Sequence, residues 1–203
     1  MSEKIIEGFK KLTPTLFHKH TCLFYKSKDE MFEVLVPFFK EGLENNEFCL
    51  WAASEPSEIN NIKTALGKAV ENLDRYIEKG QLEIGDYKNY YLKTEVFVSF
   101  EALEFWVKKE KEILEQGFNG MRVTGDGTWA LEDHWLNFSY YEEEIDRVIS
   151  KKRMRSICTY FLDKLELRKL LKLGKHHQSV LIKRNGQWDI IDPANFIKPE
   201  LQL

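Results

Sequence analysis

The sequence predicts an α/β fold of three layers: a mostly parallel central sheet, helices on both of its faces and a C-terminal antiparallel hairpin. Three observations predict it. Apolar, strand-like runs alternate with segments of helical periodicity along the 203 residues. Five such strands are each followed by a helix, which argues parallel pairing and crossovers over both faces. An Asn-Gly pair then separates two short alternating runs near the end, a strong hairpin signal.

Residues His20–Tyr25 (HTCLFY) read as a buried strand. Asp29–Asn45 follows as a helix, with Met31, Leu35, Phe38, Phe39 and Leu43 at helical spacing and Asn45-Asn46 to end it. Glu47–Ser54 is the second strand. Ser54-Glu55-Pro56 offers a cap and an early proline, so Pro56–Leu66 reads as helical. A second short helix spans Asn72–Lys79 and stops at Gly80.

Gln81–Tyr87 reads as the third strand. Phe100–Gln116 is a helix with Leu103, Trp106, Val107, Ile113 and Leu114 inward, closed by Gly117. Gly120–Gly125 is the fourth strand. Leu131–Ser150 is a helix with Trp135, Phe138, Ile145 and Ile149 inward. Met154–Leu162 is the fifth strand, and Leu165–Leu173 a helix ended by Gly174. Ser179–Lys183 and Trp188–Ile191 flank the Asn185-Gly186 turn. No repeat or Gly/Ser/Pro-rich linker divides the chain. It reads as an N-terminal extension over 1–17, one domain over 18–191 and a tail over 192–203.

Composition narrows the function classes. With 43% hydrophobic and 13% aromatic residues, the chain can pack a core and lacks the signature of disorder. There is no apolar run of membrane-spanning length and no signal-peptide pattern, so the chain reads as a cytoplasmic protein without membrane contact. The net charge of −3 hides a split: residues 28–149 hold 26 acidic and 13 basic residues, whereas 151–187 hold 2 acidic and 11 basic. No nucleic-acid motif accompanies the basic segment, so a solvated face is expected rather than direct nucleic-acid binding. Cys22, Cys49 and Cys158 are widely spaced within apolar runs and read as buried free thiols.

In parallel sheets, ligands collect outside the carboxyl ends of the strands. Here those ends carry Tyr25-Lys26, Ser54-Glu55, Asp86-Tyr87, Gly125-Asp126 and Tyr160, with Trp129 just beyond. The expected ligand-binding set is therefore Tyr25, Lys26, Ser54, Glu55, Tyr87, Asp126, Trp129 and Tyr160: an aromatic rim with polar anchors, suited to a small molecule. Asp126 in TGDGT reads first as a turn residue that bonds its own backbone. Nucleotide hydrolysis needs GxxxxGK[ST] after the first strand. The sequence there is FYKSKDEMF, without glycine. The histidines, at 18, 20, 134, 176 and 177, are scattered, and adjacent strand residues point apart, so no metal site is expected. No GxSxG, HExxH or kinase motif occurs, and no cofactor or catalytic residue is assigned.

Several segments together carry a family resemblance. HTCLFYKSKDEMFEVLVPFFKEGLENNEFCLW, GMRVTGDGTWALEDHWLNFSYYEEEIDRVI, MRSICTYFLD and HHQSVLIKRNGQW, in this order, resemble the MEDS family, the methanogen/methylotroph DcmR-like sensory domain. The resemblance runs from about His18 to Trp188. It implies a degenerate RecA/KaiC-like fold without working Walker motifs, in keeping with the glycine-free loop. It also implies a non-catalytic input module for signal transduction and transcription regulation, sensing methylated or halogenated one-carbon compounds. The family's opening His-x-Cys-x-x-Tyr pattern falls on His20, Cys22 and Tyr25. Members are often fused to histidine kinases or DNA-binding regions, and 193–203 is too short for either, so the expected partner is a separate kinase or regulator. Two other readings stand beside it: a RecA-like nucleotide-binding protein without a standard P-loop, and an interaction module that forms homo-oligomers.

Overall fold

Strong β-formers with side chains buried on both faces make the central strands, and the computed structural model describes them within residues 18–92 and 96–196. The elements are β1 (His20–Tyr25), α1 (Lys28–Glu44), β2 (Phe48–Ala53), α2 (Ile59–Gly67), α3 (Leu73–Glu78), β3 (Leu82–Asp86) and α4 (Lys88–Tyr91). They continue with α5 (Ser99–Glu115), β4 (Met121–Asp126), α6 (Trp135–Ile149), β5 (Met154–Phe161), α7 (Leu167–His176), β6 (Ser179–Arg184), β7 (Gln187–Ile191) and α8 (Pro193–Phe196). The N-terminal extension and residues 197–203 lie outside the described residues.

The strands form one sheet of order β3-β2-β4-β5-β1-β6-β7. Every pairing is parallel except β6 with β7. The hairpin thus contributes one antiparallel strand rather than two: α7 carries the chain across, and β6 lies parallel beside β1. Asn185 and Gly186 close the turn with φ of 51° and 76°, which the mirror-image hairpin turn requires.

Alternation sorts the core into two halves. Leu23 and Tyr25 of β1 face α1, α2 and α3, together with Cys49, Trp51 and Ile157. Cys22 and Phe24 face α5, α6 and α7, together with Val123, Cys158 and Tyr160. Five inward residues expected in α1 are buried, and Ser27 caps that helix by accepting from the Glu30 N–H.

Three elements differ from the sequence reading by more than one residue at a boundary. The segment from Leu131 joins its helix only at Trp135, because Asp126 first caps a short turn at Gly127–Ala130. Pro56–Glu58 is a tight helical turn ahead of α2, and Ser54 bonds Glu58 instead of capping. Gly174 lies inside α7, where its absent side chain makes room for the Phe196 ring, with 2.5 Å from a Cβ position to the ring carbons. Phe196, in the segment read as a tail, is buried against Phe24 and α7.

Candidate functional site

The topology opens the sheet at its carboxyl edge. Chain leaves β1 and β2 toward the α1–α3 face, and leaves β4 and β5 toward the opposite face. In open parallel sheets ligand sites form beside strand ends where the crossovers diverge, which here are the ends of β4, β5 and β1. Tyr25 and Asp126 end two of these strands with side chains on the same face. The Tyr25 hydroxyl donates to Asp126 Oδ2 at 2.6 Å. Asp126 Oδ1 accepts the Thr128 N–H at 2.8 Å, the local turn bond the sequence predicts. Lys28 reaches Glu58 at 2.6 Å and stands 3.9 Å from Asp126, and Ser54 donates to Glu58 at 2.8 Å. Burial, followed by the Asp126 carboxylate, raises the Tyr25 phenol far above its usual range.

Tyr87 and Trp129 sit on the other side of the sheet. Their rings stack at 4.8 Å, and Trp129 also meets Tyr91, Phe97, His134 and Phe138. Both are partly exposed, so this aromatic layer borders solvent at the ends of β3 and β4. Lys26 and Glu55 are exposed; the Lys26 N–H donates to Glu30, completing the cap of α1. The eight expected residues thus divide into a polar network (Tyr25, Ser54, Asp126), an aromatic layer (Tyr87, Trp129), two exposed side chains and Tyr160. Two shallow surface clefts lie elsewhere, along α2 and α3 near Asn72.

Tyr160 belongs to a second, fully enclosed group. His20 lies within β1, not before it, and shares its inward face with Cys158 of the adjoining β5. His177, just after α7, stacks on His20 at 4.0 Å between ring centroids, and Glu142 of α6 reaches both. His20 Nε2 and His177 Nε2 lie 3.4 and 3.3 Å from Glu142 Oε2, and Cys158 Sγ lies 3.4 Å from His20 Nε2. Of the adjacent pair, His176 ends α7 and is half-buried, while His177, just after it, is buried and completes the group. Of the five histidines only His20 and His177 converge, because β6, which follows His177, lies beside β1 in the sheet.

The charges here are opposed. Burial, then the neighbouring His20, push His177 down to about 3, so its ring is neutral. Against burial, Cys158, Asp146 and Glu142 hold His20 above its usual range. Burial and the Glu142 carboxylate raise the Tyr160 phenol. Among the described residues, Glu142, Cys158, His20 and His177 are those whose donor atoms gather closely enough to hold a metal ion, all within 4.8 Å of one another. The sequence carried one signal of this group: an acid at position 142, inside the apolar stripe Phe138, Tyr141, Ile145 and Ile149.

Comparison with known proteins agrees with this architecture. A family model described as the methanogen/methylotroph, DcmR sensory domain (MEDS) matches residues 19–178. The transcriptional repressor DcmR of Methylorubrum extorquens is 25% identical over 168 residues, covering 80% of this chain and 59% of the repressor. The chain thus spans less than two thirds of that relative's length. An uncharacterized protein from Pyrococcus horikoshii, solved with an unknown peptide, has a TM-score of 0.60 at 16% identity, covering 93% of this chain and 89% of that one. A KaiC-like protein from the same organism gives 0.55 at 13% identity, covering 86% and 78%. Flagellar accessory protein FlaH from Methanocaldococcus jannaschii gives 0.54 at 14%, covering 91% and 81%. These likenesses show a RecA/KaiC-like fold.

Proposed function

Since the chain belongs to the MEDS family of sensory domains, we propose that it is a non-catalytic input module that binds a small organic molecule at the carboxyl ends of its parallel strands. The observation that carries this reading is the turn after β4. Within four residues it carries a partly exposed tryptophan, Trp129, stacked on Tyr87, and, toward the other face of the sheet, the buried carboxylate of Asp126. A solvent-bordering aromatic layer with a carboxylate across the same strand end suits a small ligand with an apolar body and one polar or cationic group. One-carbon methylated or halogenated compounds are the class the family suggests. Ligand contacts are assigned to Tyr25, Ser54, Tyr87, Asp126 and Trp129, with Lys26 and Glu55 at the rim and Tyr160 beneath. The signal passes to a regulator or kinase in the cytoplasm.

Two features speak against nucleotide hydrolysis. The loop from Tyr25 to Met31 contains no glycine to form a phosphate cradle. The N-terminus of α1 is already bonded by Ser27 and Glu30, with Asp29 and Glu30 in its first turn.

The test is thermal unfolding and tryptophan emission of the full chain with methanol, methylamine, trimethylamine and dichloromethane, and separately with Mg-ATP. Saturable stabilisation by one of the one-carbon compounds is expected, about 2.7 kcal/mol at a hundredfold excess over Kd. Trp129→Phe and Asp126→Asn should abolish the ligand-induced change while leaving a folded protein. Stabilisation by Mg-ATP alone, or by none of these, would reject the reading.

A further inference from the structure

We propose that His20, Glu142, Cys158 and His177 form a buried binding site for one divalent transition-metal ion, with zinc the best match. This rests on geometry independent of the strand-end ligand.

Zinc bonds of about 2.0–2.1 Å to nitrogen and oxygen and about 2.3 Å to sulfur place tetrahedral ligand atoms about 3.3–3.6 Å apart. Three edges of the group already measure 3.4, 3.3 and 3.4 Å. The donor set, two imidazoles, a thiol and a carboxylate, is one that zinc accepts.

Both imidazoles are held from behind. His20 Nδ1 meets the Asp146 carboxylate at 3.3 Å, and Asp146 is itself held by the Gln178 side chain at 2.9 Å. His177 Nδ1 meets the Leu173 carbonyl at 2.7 Å. Neither partner oxygen can donate, so each ring carries its proton on Nδ1 and turns Nε2 inward. This is how metal-bound histidines are oriented.

Both Nε2 atoms lie within 3.4 Å of the same Glu142 oxygen without hydrogen-bond geometry, and neither Glu142 Oε2 nor His177 Nε2 has a partner of that geometry among the described residues. A lone pair held 3.3 Å from a buried carboxylate oxygen is repulsive unless something positive lies between them. A metal ion answers for all four atoms at once. Each ligand comes from a different part of the chain (β1, α6, β5 and the link from α7 to β6), so the ion would tie together elements on one face of the sheet.

The test uses the full chain, stripped with a chelator and titrated with cobalt(II). One equivalent should bind, with visible bands of tetrahedral intensity and a near-ultraviolet thiolate-to-cobalt band. Zinc should displace it and raise the melting temperature. Cys158→Ser should remove the thiolate band but keep the visible ones. Asp146→Asn, a positioning change, should weaken cobalt binding about 10–100-fold with the spectrum retained. A folded wild-type chain that binds no stoichiometric cobalt or zinc would overturn the proposal. So would a thiolate band that survives in Cys158→Ser.

Discussion

Tyr25 and Asp126 stand on strands that are not neighbours, and the phenol of one donates to the carboxylate of the other over the end of β5. Both side chains are buried. This bond ties the central strand β1 to β4 where the candidate ligand site opens.

Tyr25→Phe should cost about 1.5 kcal/mol at pH 8, the worth of a hydrogen bond to a charged acceptor. The gap to wild type should close on raising the pH. The folded phenol is held above its usual value of 10 by burial and by Asp126. Below pH 10 the unfolded chain also keeps this proton, and the bond contributes fully. Above pH 10 the unfolded chain loses the proton and the folded one does not. Wild type then loses about 1.4 kcal/mol per pH unit that the phenylalanine variant keeps. Urea unfolding of both proteins between pH 8 and 11 checks this, and a constant gap would contradict it.

Arg122 is buried at the opposite end of β4, bonded to Glu41, Glu47 and the Phe38 carbonyl. Arg122→Met should destabilise by about 2–3 kcal/mol, less than a wholly buried pair, because Glu41 and Glu47 can partly reach water. A Cβ on Gly42 would come 2.6 Å from Arg122 Cδ. Gly42→Ala should cost about 1–3 kcal/mol, and less in the Arg122→Met background. A double-mutant cycle in urea reads the coupling.

All three cysteines are buried as free thiols, and burial pushes the Cys49 thiol far up. In native buffer at pH 8, a thiol reagent such as dithionitrobenzoate should titrate none of them promptly. In urea it should titrate three. Rapid native labelling of Cys49 would show that β2 opens.

Phe196 fills the space left by Gly174 and stacks on Phe24 at 5.6 Å. Phe196→Ala should lower stability by about 3 kcal/mol, measured by thermal or urea unfolding. A loss below 1 kcal/mol would mean that α8 does not stay docked.

How much of this was legible in the sequence depends on range. β1 has the bounds its apolar run predicts, and Asn185-Gly186 makes the turn it signals, since both depend on near neighbours. The start of α6 did not emerge, because the Asp126 side chain captures the backbone after β4 and delays the helix to Trp135. The strand-end residues Tyr25 and Asp126 were named, but their pairing depends on which strands adjoin. The buried group at His20 was missed for the same reason. Its four residues are spread from position 20 to 177, and strand order alone brings them together.

The position of β1 also bears on synthesis. Its Thr21 pairs with Ile157 on one side and with Ser179 on the other. Neither neighbour exists until more than three quarters of the chain has left the ribosome. Contacts so distant in sequence close slowly. A nascent chain ending before β6 carries β1 with an unpaired apolar edge, the kind of surface that chaperones shield and that aggregates form on. β1 waits for β6, formed about 160 residues later, before both of its edges are covered.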